Sequence, residues 1–136
     1  MNLGQTLLAV LALTLLLTIA VNINKARLGA VAATIEQMVD QEAINFAQSI
    51  LEDYSRKAIT EEGYLDMSST TTTLTFDSGR VLYADIEVSD YTDYTHEIDE
   101  IQEGKQVIVS IYAEEDEGEY SDLRARNSAT FYTWWK

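Results

Sequence analysis

The stretch LGQTLLAVLALTLLLTIAVNI, residues 3–23, is the part of the chain that decides its fold. It contains 21 residues and no charged side chain. A helix rises about 1.5 Å per residue, so this stretch would span about 30 Å, the thickness of the hydrocarbon core of a bilayer. Its threonines, Thr6, Thr14 and Thr18, suit such a helix because their hydroxyls can donate to carbonyl oxygens one turn upstream. We therefore expect an N-terminal helix that lies in a membrane or is covered by other helices in an assembly.

A cleaved secretory signal is a competing interpretation of the same stretch. Such a signal has a basic region in front of a shorter apolar run, whereas no Lys or Arg precedes this run, so we favour a retained helix. Lys25 and Arg27 follow the run. Because cations are enriched on the cytoplasmic side of a span, these two charges alone would place the rest of the chain in the cytoplasm. A basic leader removed before Met1 would reverse that orientation.

The helix is expected to continue well beyond the apolar run. Apolar residues recur there at spacings of three and four, which is typical of one stripe on a helix: Leu28, Val31, Ile35, Met38, Val39, Ala43, Phe46, Ile50, Leu51, Tyr54 and Ala58. The chain has no proline, so we predict a continuous helix to about Ile59, weakest over 22–29. We expect it to end at 60–63, with Gly63 in the left-handed capping position.

The remaining residues alternate with the period of strands. We predict strands at 68–76, 80–88, 106–113 and 123–135, with 89–103 as a polar loop or short helix. In the second strand the core face is expected to hold Leu82, Ala84, Ile86 and Val88, and in the third strand one face holds Val107, Val109, Ile111 and Ala113. The fold class is therefore α+β, a long N-terminal helix packed against a small antiparallel sheet of about four strands. The expected organisation is a hydrophobic helix at 1–27, an amphipathic half at 28–60 that packs on the head, and an acidic β head domain at 61–136.

Charge is distributed unevenly along the chain. Residues 1–59 hold five acidic and four basic side chains, whereas residues 60–136 hold eighteen and five. An acidic surface argues against nucleic-acid binding, which requires cations to replace phosphate counterions. The absence of cysteine excludes disulfides, zinc–thiolate sites and a thiol nucleophile.

The sequence offers little for catalysis. His96 is the single histidine and lies in a polar stretch without an evident nucleophile to activate, so we predict a protein that is not an enzyme and has no cofactor. An acidic turn provides oxygen ligands for Ca²⁺ but lacks the spacing of a calcium-binding loop. Its weak metal candidates are Glu114, Asp116, Glu119 and Asp122, and we favour a solvated turn with no metal.

Aromatic residues are concentrated at the C-terminus. Strand alternation places Phe131 and Trp135 on one face and Tyr132 and Trp134 on the other. We expect the first pair to pack on the helix. The second pair is a candidate contact between heads of neighbouring subunits.

An uncharged apolar helix that continues as an amphipathic half behind a small sheet resembles the type IV pilins and the pseudopilins of type II secretion. The resemblance implies a homo-oligomer, a helical extracellular filament of identical subunits that are inserted in the inner membrane before assembly. The chain departs from the family at three points. Met1 stands where a methylated Phe is usual, Gln5 stands where a Glu usually pairs with a neighbour's terminal amine, and no helix-breaking proline lies near Asn22.

This resemblance implies an assembly interface along the first 35 residues. Its members are Met1, Leu3, Gln5, Leu7, Leu8, Val10, Leu11, Leu13, Leu15, Leu16, Leu17, Ile19, Val21, Leu28, Val31 and Ile35. Two alternatives stay open from the sequence: a single-pass membrane-anchored extracytoplasmic sensor or adhesion domain, and a minor pseudopilin of a secretion system. Adhesion, motility, secretion and DNA uptake all use the same subunit plan, so the sequence does not distinguish the filament's task.

Overall fold

The computed structural model describes residues 2–94, 101–133 and 135. Over these residues the chain forms six elements: α1 Leu3–Ala58, α2 Glu61–Leu65, β1 Thr70–Thr75, β2 Val81–Tyr94, β3 Ile101–Asp116 and β4 Glu119–Tyr132. The strands form one antiparallel sheet in the order β1-β2-β3-β4. The predicted α+β class is confirmed.

The chain divides into two compact units, Met1–Met38 and Val39–Lys136, which we call the N-terminal unit and the C-terminal unit. In the part of the chain that the structure describes, every buried side chain belongs to the C-terminal unit. The N-terminal unit is the first part of α1, and its described side chains are all exposed.

The predicted continuity of α1 is confirmed, since it runs from Leu3 to Ala58 without an unwound residue at 22–29. Asn and Gly have poor helix propensity, but without proline every backbone N–H can still donate. The threonine bonds also form: the hydroxyls of Thr14, Thr18 and Thr34 donate to carbonyl oxygens four residues upstream at 2.8–2.9 Å.

The predicted cap at Gly63 is wrong. A second helix, α2, starts after Thr60, whose hydroxyl accepts a hydrogen bond from the Gly63 N–H at 3.1 Å. Gly63 is instead required by close packing, because a Cβ there would lie 2.3 Å from the carbonyl oxygen of Lys57. The signal for α2 is present in the sequence as a Thr cap followed by Glu61 and Glu62, which suit a helix N-terminus.

The core lies between α1 and one face of the sheet, all within the C-terminal unit. The helix contributes Val39, Ala43, Ala47, Ile50 and Tyr54, and strands β2 and β3 contribute Leu82, Ala84, Ile86, Val107, Val109 and Ile111. The alternation predicted for these two strands is therefore confirmed. The helical stripe is buried only from Val39 onward, whereas Leu28, Val31 and Ile35 are exposed.

The predicted loop at 89–103 is wrong over its described residues, because β2 continues to Tyr94 and β3 begins at Ile101. Residues 95–100, including His96, lie outside the described residues. Polar composition suggested a loop, but tyrosine and threonine favour strands, and pairing such as Ser89 with Gln106 extends the ladder. The last strand ends at Tyr132 and not at 135.

Two tight turns set the register of the sheet. At the β1–β2 connection, Gly79 has φ +83° and its N–H donates to the Phe76 carbonyl oxygen at 2.9 Å. At the β3–β4 connection, Glu117 and Gly118 have φ +50° and +88°, the left-handed pair that a two-residue hairpin turn requires.

Candidate membrane or assembly surface

The N-terminal unit presents a continuous apolar surface. Its large apolar side chains up to residue 23 are between 48% and 88% exposed: Leu3, Leu7, Leu8, Val10, Leu11, Leu13, Leu15, Leu16, Leu17, Ile19, Val21 and Ile23. Consecutive residues in a helix point about 100° apart, so the large apolar side chains of residues 10–17 lie on all sides of α1. A helix that is apolar on all sides requires an apolar environment.

The free energy at stake is large. Burying a side chain of this size contributes about 1.5–3 kcal/mol, so covering a dozen half-exposed side chains contributes on the order of 10 kcal/mol or more. By length and composition, α1 can cross a membrane. This apolar surface is therefore compatible with membrane insertion.

A second exposed apolar region follows the two cations of the N-terminal unit. Lys25 and Arg27 are succeeded by Leu28, Val31 and Ile35, which are 70%, 57% and 47% exposed. Residues 28–35 carry no charge. Leu28, Val31 and Ile35 all belong to the predicted assembly interface. Met1, another predicted member, lies outside the described residues.

Gln5, the most polar member of the predicted interface, is part of the helix cap. Its Oε1 accepts a hydrogen bond from the Asn2 N–H at 3.4 Å, and Asn2 Oδ1 accepts one from the Gly4 N–H at 3.2 Å. This reciprocal arrangement is a capping box, in which a residue in front of the helix and the residue three positions later satisfy free N–H groups. The capping role of Asn2 was not predicted, although its position three residues before Gln5 is the spacing of a capping box.

The acidic turn does not assemble a metal site in the described part of the chain, where no three acidic or histidine side chains are grouped to hold an ion. The candidates are used separately. Glu114 Oε2 accepts from the Ser121 hydroxyl at 3.4 Å, and Asp122 Oδ2 lies 2.7 Å from Arg124 Nη2. Asp116 and Glu119 flank the turn as a cross-strand pair.

The two faces of the C-terminal aromatic segment differ in role. Phe131 and Trp135 pack against the core, and the Trp135 ring meets Tyr64 edge-on at 5.1 Å. Tyr132 lies on the opposite face of the sheet, 39% exposed, where its ring approaches Gly104 so closely that a Cβ on that glycine would be 3.0 Å from it. Trp134, the other candidate for a contact between heads, lies outside the described residues.

A cleft of about 430 Å³ lies beside these aromatic residues in the C-terminal unit. Its lining includes Tyr64, Tyr91 and Lys105, and sequence reasoning did not identify it. Lys105 Nζ donates to the Met67 carbonyl oxygen at 3.4 Å and lies 5.3 Å from the centre of the Tyr64 ring. These two contacts of Lys105 connect β3 to Tyr64 of α2 and to Met67 after it. Because the Lys105 cation already has these partners, we assign the cleft no chemistry.

Tyr54 is a buried ionisable residue of the core. Burial raises the pKa of its hydroxyl above the ordinary value of 10.0, since a phenolate is poorly solvated there. The hydroxyl donates to the Ser68 carbonyl oxygen at 3.0 Å. This bond joins α1 to the start of the sheet, so the role of Tyr54 is structural.

Two ion pairs join the sheet to α1. Arg80 Nη1 lies 3.1 Å from Glu42 Oε2, and Arg124 Nη1 lies 3.3 Å from Asp40 Oδ1. The arginine side chains are 34% and 17% exposed. These contacts within one chain hold the start of the C-terminal unit's helix against the β1–β2 connection and against β4.

Comparison of the chain with protein-family models, with curated proteins and with solved structures gives no match.

Proposed function

We propose that this protein is a structural, pilin-like subunit of a helical extracellular filament, which polymerises through its N-terminal helix and is inserted in the cytoplasmic membrane before assembly. The proposal is supported by an apolar surface that requires a cover and by a C-terminal unit that contains its own core. The acidic composition of residues 60–136 favours a solvated exterior for that unit.

The observation that carries the proposal is the length of the apolar surface. A bilayer covers about 30 Å of helix, which residues 3–23 already fill. Ile35 lies about 18 Å further along the helix axis, at about 1.5 Å per residue, and is still 47% exposed. Lipid therefore leaves Leu28, Val31 and Ile35 in water, whereas neighbouring helices in a bundle cover both regions.

A second candidate function is a single-pass membrane anchor for an extracytoplasmic sensor or adhesion domain. Lys25 and Arg27 lie directly after the apolar run, where a helix would leave a membrane, and this supports an anchored helix. The same two cations, taken alone, would place the domain that follows them in the cytoplasm, so they do not support its extracytoplasmic location. A minor pseudopilin of a secretion system has the same plan as the leading proposal and differs from it in copy number.

Electron microscopy of the full chain after detergent removal tests the proposal. The purified chain is dialysed slowly with and without lipid, and both samples are imaged after negative staining. Uniform thin filaments in the lipid-free sample support polymerisation. Monomers that enter lipid vesicles and never form filaments would contradict it and favour the anchored domain.

A further inference from the structure

The two edges of the sheet are protected to different degrees. On β4 the register shifts at Ile111/Tyr112, Asp122 takes φ +61°, and Arg124 and Arg126 add charge. Bulges and charged side chains are the usual means of preventing edge-to-edge pairing. β1, with the sequence TTTTLT, has neither, since its register with β2 is regular and none of its residues is charged.

The free backbone groups of β1 can be assigned from its pairing. Phe76 N–H donates to the Arg80 carbonyl oxygen at 2.9 Å, which makes this a hydrogen-bonded pair. Because such pairs alternate along an antiparallel ladder, Thr70, Thr72 and Leu74 also bond to β2. The N–H and C=O groups of Thr71, Thr73 and Thr75 therefore point away from the sheet, and over the described residues no hydrogen-bond partner is present for them.

Charge favours a second copy of the same chain at this edge. Residues 67–76 contain no charged side chain, although residues 60–136 hold eighteen acidic and five basic ones. Two copies repel each other over most of their acidic surfaces, and this repulsion is weakest where the two uncharged edges meet. Threonine side chains directly opposite each other in a sheet also form favourable pairs.

We propose that β1 is a self-docking edge, at which two copies pair antiparallel about a two-fold axis and form one continuous eight-stranded sheet. Opposite residues in an antiparallel pair share a face of the sheet, so the register joins odd-numbered residues to odd-numbered ones. Thr73 faces Thr73 of the second copy, and Thr71 faces Thr75. This register uses all three outward-facing residues and forms about six backbone hydrogen bonds. The contact involves only the C-terminal unit, in which the helix lies along β1 because Glu42 meets Arg80 at one end of the strand and Tyr54 meets Ser68 at the other. The two-fold axis therefore turns the helices of the two C-terminal units in opposite directions, so the contact would join subunits of different filaments and not neighbours within one filament.

Disulfide trapping tests the register, and the absence of cysteine in the chain makes every new thiol unambiguous. The full chain is studied in detergent with micelles in excess over protein, so that apolar helices are not forced together. In the proposed register the Cα atoms of the two copies of residue 73 are about 5.5 Å apart, within the range for a disulfide. We expect Thr73→Cys to give a covalent dimer under mild oxidation.

The matched controls are Thr71→Cys and Thr75→Cys. Each is offset by four residues from its own copy, about 14 Å along the strand, so neither should cross-link alone. A mixture of these two variants should cross-link. Failure of Thr73→Cys to form a dimer, or equal cross-linking of all three single variants, would overturn the proposed pairing.

A charge variant provides a second measurement that does not depend on oxidation. Thr73→Glu places two like charges opposite each other at the axis and should weaken dimerisation at least about tenfold in sedimentation equilibrium. Ser128→Glu adds the same charge to an exposed position on the other edge and should leave dimerisation within about twofold. Circular dichroism verifies that both variants fold. Equal dimerisation of the two variants, or a wild-type chain that stays monomeric in up to about 0.5 M salt, where the charges are screened, would refute the self-docking edge.

Discussion

Replacing Leu16 by Asp should prevent assembly and membrane insertion without unfolding the C-terminal unit. Leu16 lies about 4.5 Å from the middle of the apolar run along the helix axis, and its side chain is 66% exposed in the isolated chain. At the centre of a membrane span, leucine contributes about −0.5 kcal/mol and aspartate costs about 3 kcal/mol. The expected penalty is therefore about 3–4 kcal/mol, which corresponds to about a 100- to 1,000-fold change in an equilibrium constant.

The chain provides a matched control for this experiment. Leu65 in α2 is also 66% exposed but belongs to the C-terminal unit. Leu65→Asp makes the same chemical change on a surface that the proposal leaves in water, so it should change stability by less than about 1 kcal/mol. Because the two leucines are equally exposed in the free chain, a difference in assembly between the two variants must come from what covers Leu16 in the assembled or membrane-bound state.

The assay measures the critical concentration for assembly by pelleting, and the partition into lipid vesicles by flotation. We expect Leu16→Asp to raise the critical concentration at least about 100-fold and Leu65→Asp to change it less than about fivefold. Near-ultraviolet circular dichroism of the C-terminal aromatic residues should be the same for both. Assembly of Leu16→Asp at the same concentration as Leu65→Asp would mean that neither lipid nor another helix covers the apolar run, and the prediction would be wrong.

Three further predictions concern charge, pH and packing. Assembled material should persist as salt rises from about 0.05 to 1 M, because screening weakens repulsion between acidic surfaces while apolar burial is maintained; dissociation measured by light scattering would show that ion pairs between subunits dominate. The raised pKa of Tyr54 means that the folded state favours the neutral phenol. The contribution of this phenol to the free energy of unfolding is therefore full below pH about 10 and is lost as pH rises through the folded-state pKa. At pH 7, Tyr54→Phe should lower the free energy of unfolding by about 1 kcal/mol because the hydrogen bond is lost. As pH rises above about 10, the free energy of unfolding measured in urea titrations should fall less for Tyr54→Phe than for wild type, and parallel pH profiles would contradict this. Gly63→Ala should destabilise by about 1–3 kcal/mol through its clash with the Lys57 carbonyl oxygen, whereas Gly29→Ala, which meets no atom within 4 Å, should be neutral or stabilising in the same titration.

The helix was predictable because its signals are local. A period of three to four residues and the absence of proline act within a few turns, and they correctly gave a continuous α1. Its end near Ile59 was predicted to within about one residue, but the role of Gly63 was not, because the requirement for glycine there comes from the Lys57 carbonyl oxygen in the last turn of α1. A C-cap glycine and a close-packed glycine have the same sequence signal, and only the fold distinguishes them.

The strands show the opposite limitation. Alternation correctly identified the buried faces of β2 and β3 around Ile86 and Val109, since burial on one face produces a period of two. The polar residues after 88 have no such pattern, because the extension of β2 and β3 depends on pairing with each other and not on a core. Composition therefore suggested a loop where the backbone forms a ladder.

The apolar surface was predictable because it involves no fold at all, only the absence of charge over residues 3–23. The hydrogen bond that Gln5 makes at the helix start was not predicted. An ionised glutamate at this position would be costly in an apolar environment unless a partner's cation neutralised it, whereas a neutral glutamine avoids most of that cost. In this chain Gln5 Oε1 accepts a hydrogen bond from the Asn2 N–H at 3.4 Å, and Asn2 Oδ1 accepts one from the Gly4 N–H at 3.2 Å, so the two side chains cap part of the helix start. If the filament proposal holds, its subunits would then be drawn together by apolar burial along the whole helix and not by an ion pair at its tip.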